Sequence, residues 1–386
     1  MTNRRAERGL VTSQGEIRYF RDVLCPKEKT DREKLMELEN RKSIAPLDIH
    51  LGIDNLPFKM TKLAMLEIAF WGQNQTSFQR ASDILNKKCG ININYETIRL
   101  VTSYVGSMVF EEDCRKAECA YSKLNNGGLT LECNKKGVLY IQTDGAQLNT
   151  RTKDKSGSTW RENKLGEVFS SDNIRYWTDK KGKKQHQITK KEYISYVGSV
   201  SEFKKHLLAC AVRGGYGSYE KTVVLGDGAA WIRNMVKELF HGAQQILDFF
   251  HMSENVNIYA RHLFNHNEKL YLPWVDDVCK ALKQGEYKRI LLELEKYKEK
   301  TFKNCSINLY NYINSNIDNI DYKDYEEQGY FIGSGAIESG NKIILQQRLK
   351  QAGMRWNVTT AQPVLTLRTK WESERWDSDV VNFILN

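Results

Sequence analysis

The chain has 386 residues, 40% hydrophobic and 11% aromatic, with 58 Lys and Arg against 48 Asp and Glu for a formal charge of +10. That content buries a sizeable core in two or three domains, and the basic balance suggests a polyanionic partner. No apolar run approaches the roughly 20 residues of a membrane span and no hydrophobic segment follows the charged start; eight cysteines form no Cys-x-x-Cys pair, so a cytoplasmic chain with reduced thiols and no membrane partner is expected.

Residues 1 to about 45 are highly charged and predict one helix, from about Lys27 to Arg41, closed by Pro46. From Phe58 to Trp71, the spacing of Leu63, Leu66, Ile68 and Phe70 predicts a helix with a broad buried face. Two more helices are expected within 76–104, with Ser77 and Asn94 as N-caps, Gly90 ending the first and Ala81 small enough for a close crossing. The pair fits a helix-turn-helix and, because its linker is long, an ordinary helical hairpin equally well. As a DNA reader it would turn Tyr95, Thr97 and Arg99 toward the groove. A charged connector follows, and Asn125-Asn-Gly-Gly128 breaks it and marks a domain boundary.

Gly137-Val-Leu-Tyr-Ile-Gln-Thr-Asp144 is an apolar, β-branched and aromatic run, the pattern of a buried strand with a carboxylate at its tip. Val223-Val-Leu-Gly-Asp227 repeats the layout. One Asp-Gly is an ordinary turn; two, each ending a core strand, point toward a shared metal site. Lys164–Phe169 and Tyr193–Val197 predict further strands with the basic segment Arg175–Lys191 looping between them. Helices over Ser201–Arg213 and Ala230–Phe240 and a fifth strand over Gln245–His251 complete the order. Residues 151–191 carry 12 Lys and Arg against 5 Asp and Glu, which makes Lys180, Lys181, Lys183 and Lys184 candidates for tracking phosphates. Trp160 suits either the core or stacking on an unpaired base.

From Leu272 to about Tyr325 the pattern is helical and interrupts the sheet core. Gly333-Ser-Gly-Ala-Ile-Glu338 then opens a helix running through Lys350, with Gly335 as N-cap and Glu338 in the third position, either a capping glutamate or a third metal ligand. Arg348, Lys350 and Arg355 beyond it are phosphate contacts or a solvated face. The expected fold is α/β: an RNase H-like mixed-sheet core with an α-helical insertion, plus an N-terminal, mainly α-helical, helix-turn-helix-like domain. The expected boundaries are 1–120 for that region, 121–136 for a connector, 137–270 for the first part of the core, 271–328 for the insertion and 329–386 for the completion of the core.

Asp144, Gly226-Asp227-Gly-Ala-Ala-Trp231, Asp248-Phe-Phe-His251 and Gly333-Ser-Gly-Ala-Ile-Glu338, with Arg348-Leu-Lys-Gln-Ala-Gly-Met-Arg-Trp356 downstream, resemble the DDE transposases of bacterial insertion sequences. The likeness is closest to the Kra-type family and spans roughly residues 46–376. It implies that Asp144, Asp227 and Glu338 are a catalytic, metal-binding triad and that Asp248 and His251 match a Cys/Asp-x-x-His motif supporting it. Cys25 stands alone where relatives often carry paired cysteines, so no zinc module is implied at the N-terminus. Three carboxylates suit two Mg²⁺ or Mn²⁺ ions about 4 Å apart, which serve phosphodiester cleavage and strand transfer alike. Transposon ends and target DNA would be the partners, bound by a homo-oligomer in the nucleoid. A repressor or scaffold that has lost activity, and a structure-selective nuclease of the same fold, remain the alternatives.

Overall fold

Thr2–Thr12 (β1) and Gly15–Cys25 (β2) pair into an antiparallel hairpin where the sequence predicts no strand. Arg4, Arg5, Arg8, Arg18 and Arg21 hide its apolar alternation. The hairpin is held by the buried carboxylate of Asp48, which accepts from Tyr19 Oη at 2.6 Å and pairs with Arg8 and Arg21. The computed structural model describes all residues except 40–42, 130–131 and 303–304. The expected first helix runs over Lys29–Glu39 (α1), and the last residues of that expectation, 40 and 41, lie outside the described ones. Pro46 begins Pro46–His50 (α2) rather than closing a helix, as suits a residue with no N–H to lose in a first turn.

Lys62–Asn74 (α3), Phe78–Lys88 (α4) and Tyr95–Asn125 (α5) follow. Ser77 accepts from the Arg80 N–H at 3.1 Å and Asn94 from the Thr97 N–H at 2.8 Å, as the capping pattern requires. Helix α5 continues through the expected connector to Asn125. The chain divides into two compact units: Met1–Glu112 with Thr150–Thr152 and Gln346–Asn386, and Asp113–Asn149 with Lys153–Leu345.

The second unit is built on a five-stranded mixed sheet. Its strands are Lys135–Asn149 (β3), Trp160–Ser170 (β4), Glu192–Val197 (β7), Tyr219–Gly226 (β8) and Gln244–Leu247 (β9), and between β4 and β7 lies a separate hairpin of Ile174–Thr178 (β5) and Lys184–Ile188 (β6). The sheet order is β7-β4-β3-β8-β9, antiparallel through β7, β4 and β3 and parallel through β3, β8 and β9. The basic segment is thus a hairpin rather than a loop. Val200–Arg213 (α6) and Ala230–Leu239 (α7) cover one face, meeting Leu139, Ile141, Val168 and Val224. The other face, with Tyr140, Phe169, Val223 and Leu225, is covered by Phe249–Leu263 (α8), Glu268–Lys283 (α9), Tyr287–Leu294 (α10), Leu309–Ser315 (α11) and Tyr322–Glu327 (α12). The helical stretch after Leu272 therefore shares one hydrophobic cluster with the sheet and extends its core, where an interruption was expected. Strand residues alternate between the two clusters because side chains switch faces every residue.

Gly335–Asn341 (α13) leads into a π-helical turn, Lys342–Gln346, and Gln347–Leu349 (α14), so the expected single helix to Lys350 is broken. Val358–Glu372 (α15) and Asn382–Leu385 (α16) complete the first unit. Residues 346–386 fall in this unit rather than in the sheet core because Leu367, Trp376, Val380 and Ile384 pack with Ile68, Leu85 and Ile98 of α3–α5. Arg348, expected to meet phosphates, is buried there: its guanidinium lies 4.4 Å from the Phe78 ring and 5.0 Å from that of Trp356 and donates to Gly72 O at 3.1 and 3.2 Å. Burial, with Arg368 nearby, pushes its pKa down to about 9. Arg348→Ala should lower stability by about 2–4 kcal/mol in a urea titration, since it strips partners from buried carbonyls and leaves a void.

Candidate active site

Asp144 does not end its strand; β3 runs on to Asn149, and what stops is its parallel neighbour. The last paired residues are Gln142 and Leu225, and Asp144 and Asp227 each stand two positions beyond that pair, Asp227 just past the end of β8. Within β3 the period of two puts Asp144 on the face of Tyr140. The sequence spacing of each acid from its apolar run thus becomes adjacency in space.

Helix α13 lies over this pair. The Ile337 N–H donates to Gln142 Oε1 at 3.0 Å, and Asn341 Nδ2 donates to Asp144 Oδ2 at 2.6 Å, which ties the helix to β3 on either side of Glu338. Gly340 permits the approach, because a Cβ there would stand 2.9 Å from Tyr193 and 3.0 Å from Glu167. Ser334, not Gly335, is the N-cap residue, which moves Glu338 from the third to the fourth helical position and away from the capping role. Burial raises the pKa of Asp144, and the charges of Asp227 and Glu338 add to it, while the Gly145 N–H at 2.8 Å and His251 oppose it. The three carboxylates therefore share one electrostatic neighbourhood. Among the described residues no three His, Cys, Asp or Glu side chains close around one metal position. The donors still suit Mg²⁺ or Mn²⁺, being oxygen ligands whose mutual repulsion a cation would relieve.

Asp248 is fully buried and accepts four hydrogen bonds: from the Phe250 and His251 N–H groups at 3.2 Å, the Ser334 N–H at 2.8 Å and Ser334 Oγ at 2.7 Å. The expected fifth strand ends at Leu247, and Phe249, Phe250 and His251 form the first turn of α8 capped by this acid. His251 Nε2 lies 3.8 Å from Asp248 Oδ2. Sequence reasoning missed Gln142, Ser334 and Asn341. Gln142 carried a signal, as a polar residue inside an apolar run and in phase with Asp144. It also missed Glu167, fully buried on β4 and paired with Lys191 at 3.0 Å.

The basic candidates separate into two places. Lys180, Lys181, Lys183 and Lys184 are exposed around the turn of the β5–β6 hairpin, where Asp179 accepts from the Lys181 and Lys183 N–H groups, and Tyr176 and Trp177 stand exposed beside them. Trp160, half exposed where β4 begins, is not core. In the first unit, Tyr95, Arg99 and Arg355 line a cavity of about 410 Å³ with Arg151, Arg348 and Trp356. Arg99 is clamped by Glu96 at 2.5 Å and Thr360 at 3.3 Å. Thr97 is half-buried outside this lining, and Lys350 is exposed beyond α14. No protein-family model and no curated protein matches the chain.

Burial pushes the Glu167 carboxyl up to about 7, against the pull of Lys191 and Tyr193. Between the unfolded value of about 4.3 and 7, the folded state keeps a proton that the unfolded chain releases, so stability falls as pH rises, by up to about 3 kcal/mol. Glu167→Gln should flatten that fall, seen as urea midpoints that change less between about pH 5 and 8 than those of the parent.

Proposed function

We propose that the protein is a DNA transposase that binds the ends of its own insertion sequence, cuts them with two Mg²⁺ or Mn²⁺ ions and joins the 3′ ends to target DNA. The observation that carries this reading is that Asp144 and Asp227 each follow the last β3–β8 pair by two residues, with the helix bearing Glu338 bonded to β3 beside Asp144. The sheet order, with its first strand central and its fourth alongside, supports an RNase H-like core. So does the likeness of the Gly-Asp-Gly-Ala and Gly-Ser-Gly-Ala-Ile-Glu blocks to bacterial DDE transposases.

Asp144, Asp227 and Glu338 would hold the ions, which when bound supply Lewis acidity at a phosphate oxygen and a nucleophile at neutral pH. Asn341 and the Gly145 N–H orient Asp144. Asp248 fixes where α13 begins and so where Glu338 stands. Water and a 3′-hydroxyl both present an oxygen to an in-line displacement, so one site serves cleavage and joining. The exposed lysines of the β5–β6 hairpin would follow the phosphate backbone. Helices α4 and α5 would read the ends, with Arg99 already oriented by Glu96 and Thr360. Cutting two ends together calls for more than one active site, hence a homo-oligomer assembled on DNA in the nucleoid.

Asp144→Asn, Asp227→Asn and Glu338→Gln should each lower Mg²⁺-dependent cleavage of a duplex carrying the element's inverted repeats by at least about a thousandfold. Melting and gel shift should stay near the parent. A Glu338→Gln protein that cleaves at the parental rate would sink the triad, and cleavage of any branched duplex without joining would favour a nuclease.

Replacing Lys180, Lys181, Lys183 and Lys184 with Ala should flatten the plot of log affinity against log salt by up to about four units. An unchanged slope would make the hairpin a solubilising surface only.

A further inference from the structure

Beside the acid site lies a second cavity of about 660 Å³, and none of the roles above uses it. Gln142 lines it, one same-face step along β3 from Asp144, and Ser339 lines it next to Glu338. Two residues of strand span about 7 Å. The cavity therefore opens about as far from the carboxylates as a base lies from its own backbone phosphate.

Its walls are largely aromatic, with charged side chains at the rim. His186 and Phe331 lie with ring centroids 4.8 Å apart, and Phe250 is 59% exposed with its ring close to Gly333, where a Cβ would stand 2.6 Å from Phe250 Cε2. Lys283 adds positive charge, Lys191 is paired with Glu167, and Glu326 stands on the same rim. A large exposed ring is costly for a protein surface and useful as a stacking platform. Lys283 suits a phosphate-bearing strand better than an apolar peptide.

We propose that this cavity takes a single nucleobase turned out of the DNA strand next to the scissile phosphate, stacked on Phe250. The inference rests on the DNA-cutting reading of the neighbouring acids. Extruding a base costs least where it is already unpaired, which sets the probe: a forked duplex with one 2-aminopurine at the first unpaired position and a dye on the far end.

Dye anisotropy reports binding by the full chain, and acrylamide quenching reports how exposed the 2-aminopurine is. Saturating protein should lower the quenching slope by at least about threefold, while the same base placed well along the free arm should stay accessible. Phe250→Ala should bind with an affinity near the parent's and lose the protection, and Phe250→Trp should restore it. Protection that survives Phe250→Ala, or a bound probe whose base stays accessible, would overturn this inference alone. A probe that does not bind at all would overturn the DNA reading and this inference with it.

Discussion

A carboxylate with no access to water must be satisfied by protein, and Asp248 meets that demand with two donors from the turn that follows it and two from Ser334, 86 residues on. Two of its bonds start α8 directly after β9; the other two seize Ser334 at the mouth of α13. The position of Glu338 over the sheet follows from this junction, because α13 can begin only where Ser334 is held. Gln142 and Asn341 then set its rotation. Asp248 is thus a brace at the start of α13, and the bonds from Ile337 and Asn341 to β3 hold the rest of that helix.

The arrangement also accounts for which side chains are free to meet a ligand. Alternation along β3 and β8 sends the hydrophobic residues before each acid into a packed cluster and leaves the acids where the parallel pairing stops. A chain end of parallel strands is where backbone groups run out of partners, and a polar side chain there costs the core nothing. Charge is separated in the same way: carboxylates gather over the sheet, while the lysines beside Asp179 stand on a hairpin that contributes nothing to the five-stranded ladder.

Most of the sheet was legible in the sequence because its strands are short apolar runs bounded by glycine and aspartate. The caps at Ser77 and Asn94 were legible because their chemistry is local. What was not legible depends on partners far away in sequence. The N-terminal hairpin is stabilised by Asp48, which no periodicity within residues 1–25 reveals. Gly335 looked like a cap until Ser334 was seen to be held by Asp248. His251 was assigned to a strand because Phe249 and Phe250 are β-formers, and the buried capping acid overrode their propensity. Arg348 looked like one more basic residue on a solvated helix, and only the rings of Phe78 and Trp356 make it internal.

Arg348 also bears on how the chain is made. The first unit closes only when a guanidinium from residue 348 reaches the carbonyl of Gly72 and slides between two rings, one near each end of the sequence. A ribosome adding about 5–20 residues per second reaches that arginine roughly 15–50 s after finishing α3. Through that interval the cluster of α3–α5 lacks Leu367, Trp376, Val380 and Ile384, while the sheet unit between has all its strands in hand. The first unit can therefore be completed only after the whole chain of the sheet unit has been made.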